Sequence, residues 1–130
     1  MTHPNINLVQ GLYAAYLAGD RERLVAAFAP DIRWHNSGYD ATSGTYEGPA
    51  AVLDYLMGEN HMEDYALTVV DLLASEERVA VIARTTGRRA TERIVNDFVQ
   101  VLRIDGERVV EVWNYNWDQR ALAAFMPVPA

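Results

Sequence analysis

Few side chains in this sequence can do chemistry, and their spacing limits what that chemistry is. Residues 32–39 read IRWHNSGY, a strand that starts apolar and meets a tryptophan, a histidine, an asparagine and a serine before breaking at glycine. Such a strand end either faces solvent or supplies polar groups to the mouth of a pocket, and we read it as the pocket. Arg84 is a second candidate: a long cation on an otherwise apolar strand, ERVAVIART. Buried without an anion it would be heavily penalised. It is therefore expected to have a partner, either a structural carboxylate, solvent, or an enolate or phenolate oxygen that it stabilises.

Two absences narrow the chemistry further. The 130 residues include no cysteine, and all 11 basic residues are arginine, so thiolate and Schiff-base catalysis are excluded for these residues. The three histidines, at 3, 35 and 61, have no HxH or HExxH spacing, and no metal site or cofactor is expected. Acid–base chemistry on a small molecule remains. A net charge of −7 without a basic run disfavours nucleic acid and anionic membranes as partners. No apolar stretch approaches the roughly 20 residues of a membrane span. The start MTHPNINL lacks the layout of a signal peptide, so a cytoplasmic protein is expected.

The elements that would position these residues follow from periodicity. Apolar residues from Asn5 to Ala18 recur at three- and four-residue intervals, giving a helix stopped by Gly19. Asp20 caps a second helix through Phe28, which Pro30 ends, and a strand runs from Ile32 to Asn36. Residues 37–47 read as a loop. Pro49 opens a third helix, with Gly58 beyond its end. Strands are expected over Tyr65–Leu73, Arg78–Thr86 and Arg93–Ile104, then Asp105-Gly106 turns into Arg108–Trp117, and Gln119–Phe125 forms a helical turn. With a hydrophobic fraction of 50% and no linker, the chain reads as one α+β domain over residues 1–130.

The order of helix, AGDRERLVAAFAPDIRW, a G-P helix, and strands ending DGERVVEVWNYNWDQRALAAF resembles the nuclear transport factor two-like superfamily. The likeness is to its branch of ketosteroid isomerase-like and SnoaL-like polyketide cyclase proteins, over nearly the whole chain. The resemblance implies a cone: a curved antiparallel sheet wrapped around three helices, with a deep pocket and a homodimer through the outer sheet face. The apolar outward set Val99, Val101, Trp113 and Tyr115 agrees with that dimer.

Carried over residue by residue, the family's chemistry fits in part. The isomerase's general base falls at Asn36, its protonated aspartic acid at Gln100, and its first-helix tyrosine near Leu12, beside Tyr13. Two catalytic carboxyls are thus amides. Limonene epoxide hydrolase-like members pair an arginine with an aspartate two residues on; here Arg78 stays, but Ala80 replaces the aspartate. SnoaL-like sequences often place an acid near the end of the last strand, which points to Asp118 as the proton shuttle. Asp118 before QRALAAF also suits a helix cap.

Strand parity sorts the rest. With Asn36 inward, so is Trp34; with Gln100 inward, so are Asn96, Phe98, Leu102 and Ile104; the hairpin then sends Val110, Val112, Asn114, Asn116 and Asp118 inward. Arg78, Ile82, Arg84 and Thr86 are expected to join them. His35 has the opposite parity and suits a surface position, though a twist at NSG would bring it to a substrate. Tyr13 and Tyr16 suit packing or donation to a carbonyl.

The expected function is a cofactor-independent isomerase, cyclase or lyase of biosynthesis, acting on a carbonyl-bearing polyketide-like or polycyclic molecule. Asp118, Asn36 and Arg84 would carry the reaction, and Trp34, Tyr13, Tyr16, Phe98, Gln100, Asn114, Asn116 and His35 would bind substrate. The alternatives are a non-catalytic binding module of the same fold, and an epoxide hydrolase rearranged around Asp118 and Arg78.

Overall fold

The computed structural model describes residues 3–57 and 62–126. Pro4 opens α1 (Pro4–Ala18) where its missing N–H has no helical partner to lose, and the His3 ring accepts from the Asn5 N–H. Gly19 ends α1 at φ 71°, a left-handed conformation that glycine adopts without a Cβ clash. Asp20 then caps α2 (Arg21–Ala27), its Oδ1 accepting from the Arg23 N–H at 3.2 Å.

The helix stops at Ala27 and β1 (Phe28–Asn36) begins at once, well before Ile32. Pro30 therefore lies inside the strand instead of ending the helix. It is tolerated because the register of β1 is already interrupted between Phe28 and Arg33. Within the segment expected as loop, Gly44–Glu47 form a short edge strand, β2, pairing Trp34 with Tyr46. The third helix, α3 (Gly48–Met57), carries Pro49 in its first turn. Gly58, expected to stop it, lies outside the described residues, as do 59–61 and 127–130.

Four long strands, β3 (Glu63–Ala74), β4 (Arg78–Arg89), β5 (Glu92–Asp105) and β6 (Arg108–Asn116), occupy the expected positions, and α4 (Gln119–Phe125) follows. The β5–β6 hairpin is tight, but its two loop residues are Gly106 and Glu107, at φ 58° and 64°, with Asp105 paired to Arg108. The turn thus sits one residue downstream of the Asp-Gly pair.

The sheet order is β2-β1-β6-β5-β4-β3. Its pairs are antiparallel except β1–β6, which is parallel. The curved, open sheet is therefore mixed instead of wholly antiparallel, and its concave side faces the helices as a cone. The core on that side joins Val9, Leu12 and Leu24 of the helices to Ile32, Trp34, Val81, Leu102 and Val112 of the sheet. A smaller cluster of Ile94, Leu122 and Phe125 docks α4 onto β5. No helix among the described residues is long and apolar enough to cross a membrane.

Which side chains face inward is decided strand by strand. On β5 the alternation is regular: Ile94, Asn96, Phe98, Gln100, Leu102 and Ile104 are buried. On β4 the inward set is Val79, Val81, Ala83 and Thr85, the reverse of the expectation for Arg78, Ile82, Arg84 and Thr86. The register sets this, because Arg84 stands opposite outward Asp97, and residues directly opposite share a face. On β6 the register shifts opposite Arg103–Ile104, so Val109 and Val112 are both buried and Val110 turns away.

Candidate ligand-binding site

A cavity of about 440 Å³ lies between the concave face of the sheet and the helices. Leu12, Leu24, Phe28, Trp34, Phe98 and Leu102 supply much of its apolar wall. Tyr46 and Tyr55 stack at 4.5 Å between ring centres, 24° from parallel, and Trp34 lies 6.1 Å from Tyr55. This aromatic wall suits a flat ring system.

The polar wall is made of carboxamides. Asn36, Asn96, Gln100, Asn114 and Asn116 are all buried and all line the cavity, three strands contributing one or two each. Their hydrogen bonds run in one direction. Tyr13 Oη donates to Gln100 Oε1 at 2.7 Å, and Gln100 Nε2 donates to Asn114 Oδ1 at 3.3 Å. Asn114 Nδ2 donates to Asn36 Oδ1 at 3.0 Å and to Asn116 Oδ1 at 3.2 Å. Asn116 Nδ2 donates to Asn36 Oδ1 at 3.1 Å and to the Ser37 carbonyl at 3.2 Å. Asn36 Nδ2 donates to the Thr42 carbonyl at 2.9 Å and to Thr42 Oγ1 at 3.0 Å. Thr42 in turn donates from both N–H and hydroxyl to Asp40 Oδ1.

None of the described residues lining the cavity is an aspartate, glutamate, histidine or arginine. Its ionisable groups are phenols, and burial pushes those of Tyr13, Tyr55 and Tyr65 well above the usual tyrosine range, with Tyr46 raised by the same cause. They are neutral hydrogen-bonding groups at physiological pH. Among the described residues no group of side chains is arranged to hold a metal ion.

The structure brings together Trp34, Asn36, Tyr13, Tyr16, Phe98, Gln100, Asn114 and Asn116 on the cavity wall. It leaves the charged candidates elsewhere. Arg84 lies on the outer face, its Nε 2.7 Å from Asp97 Oδ1 and its Nη2 3.1 Å from Oδ2, so its partner is a structural carboxylate. His35 also faces outward, following strict alternation. Its ring stacks on Trp113 at 5.8 Å, with Nε2 2.6 Å from Glu111 and Nδ1 2.8 Å from Thr45. That hydrogen bond is the main reason the Glu111 carboxyl is held below its ordinary range. Arg78 is exposed as well.

Asp118 is exposed and caps α4, its Oδ1 accepting from the Ala121 N–H at 2.9 Å. Alternation ends at Asn116, because the chain turns into the helix before Asp118 can follow it inward. As a cap it tolerates asparagine but not alanine. Asp118→Asn is expected to change stability by only a few tenths of a kcal/mol, and Asp118→Ala to cost about 1 kcal/mol in denaturant unfolding.

Sequence reasoning gave no role to Asp40, Thr42, Tyr46 and Tyr55. Asp40 is buried behind Thr42, and its backbone N–H donates to Ser43 Oγ at 3.0 Å. The signal available was the stretch DATSG, whose short polar side chains bond to nearby backbone and build compact turns.

The comparisons with known proteins agree with this architecture. An uncharacterized protein of Mycobacterium tuberculosis is 25% identical over 124 residues, covering 93% of this chain and 95% of its own. The solved structure of a nuclear transport factor two-like (NTF2-like) protein from Burkholderia xenovorans superposes with a TM-score of 0.81 at 29% identity, covering 92% of this chain and 93% of that one. A putative SnoaL-like polyketide cyclase from Jannaschia matches with a TM-score of 0.80 at 16% identity, over 100% and 99% of the two chains, a likeness of fold alone. The model of the SnoaL-like domain matches residues 9–112, and the chain belongs to that family.

Proposed function

We propose that this chain is a binding module for a neutral, flat, oxygen-bearing ring compound. One observation carries the reading: the described wall of a 440 Å³ cavity holds five amides and several un-ionised phenols but no charged side chain. Amides and phenols recognise carbonyl and hydroxyl groups, while the aromatic wall takes the ring. In this reading Asn36, Gln100, Asn114 and Asn116 orient the oxygens, Tyr13 and Tyr16 supply phenols, and Trp34 and Phe98 pack the ring. Arg84, His35 and Asp118 take no direct part.

A second reading, an isomerase or cyclase, draws on membership of the SnoaL-like family and on one feature of the wall. Thr42 lines the cavity and donates its hydroxyl to buried Asp40, which leaves a carboxylate one hydroxyl away from a bound substrate. That relay, instead of Asp118, would then move the proton.

The pH profile separates the two. For binding by neutral groups, the affinity for 2-acetylnaphthalene should vary by less than about twofold between pH 6 and 9, because the raised phenols stay protonated there. A change of tenfold or more with a midpoint in that window would put a titrating group in the site and favour the enzyme.

The outer face supports a homodimer. Ile82, Val95, Val99 and Tyr115 are exposed on it, beside half-buried Val101 and Trp113. Sedimentation should give about twice the 14.6 kDa chain mass, and Val99→Glu should shift the protein to monomer. A monomeric parent protein would remove this part of the reading.

A further inference from the structure

Resting on the binding reading above, we infer that the ligand carries a hydroxyl donor for Asn96 and a carbonyl or ether oxygen for Trp34. The inference comes from what the amide network leaves over. Two backbone carbonyls, which can only accept, fix its polarity. The Thr42 carbonyl holds Asn36 Nδ2, and the Ser37 carbonyl holds Asn116 Nδ2. Asn36 must then turn its oxygen to Asn114 and Asn116, and Asn116 must turn its oxygen to Asn114 and Asn96. Asn96 therefore spends an N–H on Asn116 Oδ1 at 3.1 Å, and its atom without any partner is its oxygen.

That oxygen is buried and has no hydrogen-bond partner among the described residues. The same holds for the Trp34 indole Nε1–H. Both residues line the cavity and are more than nine-tenths buried, at 8% and 5% exposure. Asp40 Oδ2 is also without a partner, but Asp40 stands behind Thr42 and is not on the cavity lining. Among the described residues, the side chains of the cavity wall thus include one buried acceptor and one buried donor with no partner. A ligand gains most by supplying the opposite of each, since an unmet polar atom in a buried site is a standing cost that complementary pairing removes. A hydroxylated ring ketone has both groups; a plain hydrocarbon of the same shape has neither.

The test uses binding of naphthalene, 2-naphthol, 2-methoxynaphthalene and 2-acetylnaphthalene at pH 7, followed by calorimetry or fluorescence. The methoxy compound keeps the oxygen of 2-naphthol but loses its donor. On the unaltered protein, 2-naphthol should bind roughly tenfold more tightly than the ether. That preference should vanish in Asn96→Leu, and the advantage of 2-acetylnaphthalene over naphthalene should shrink in Trp34→Phe, which keeps an aromatic ring. Equal binding of 2-naphthol and its ether would overturn the Asn96 assignment while leaving the binding reading intact. An unchanged ketone advantage in Trp34→Phe would overturn the Trp34 assignment. Failure of all four compounds to bind would remove the binding reading and this inference with it. If Asn96→Leu does not fold, the ligand pair on the unaltered protein still decides.

Discussion

Asn36→Leu should lower the melting temperature by about 10 °C, an effect large for a swap of similar size. Asn36 is the hub of the amide network. Its oxygen accepts from Asn114 and Asn116, and its N–H group donates twice to Thr42. Leucine would leave the Thr42 carbonyl to the Tyr46 hydroxyl alone and weaken the pairing of both neighbouring amides in a buried site. Each buried polar atom left short costs about 1–3 kcal/mol, and retained bonds to Ser37 and Asn116 Oδ1 soften the loss. A net loss of about 3 kcal/mol, divided by an unfolding entropy of about 2.1 cal/mol/K per residue, gives that temperature shift. Differential scanning calorimetry checks it. A change below about 2 °C would mean the amides are held by the fold without this hub.

The same variant should loosen the loop over residues 37–43. Asn36, Thr42 and Asp40 form one chain of bonds, and Tyr46 Oη also donates to the Thr42 carbonyl at 2.7 Å. Removing its first member frees the turn at one end only.

Much of this site was legible in the sequence because a strand has a period of two. Once Gln100 is placed inward on β5, Asn96, Phe98 and Leu102 follow, and on β1 Trp34 follows Asn36. The β4 strand resisted because both of its parities carry apolar residues: Val79, Val81 and Ala83 on one, Ala80 and Ile82 on the other. Pattern alone cannot choose between them. Pairing can: Asp97 reads as outward, and the cross-strand register then requires Arg84 beside it. The parallel β1–β6 pair was hidden for another reason. It joins the first strand to the last long one, and no local pattern encodes a contact of that sequence separation. Asp118 was ambiguous on its face, since the residue type that ends a strand as an acid is also the one that begins a helix as a cap.

The absence of charge from the described wall of the cavity is the feature on which the functional reading stands. An anion entering such a site loses its hydration and finds most amide N–H groups already bonded to one another, to Thr42 or to Ser37, with no arginine to pair it, since Arg84 is engaged by Asp97 outside. A ketone of the same shape loses far less. The most direct measurement is therefore a side-by-side titration of 2-acetylnaphthalene and 2-naphthoate at pH 7.5, which differ by little more than a methyl group in place of a charged oxygen. The neutral ketone should bind at least about a hundredfold more tightly, the scale expected when a carboxylate is buried unpaired. Binding of 2-naphthoate as tight as that of the ketone, or tighter, would contradict an uncharged site for a neutral ligand.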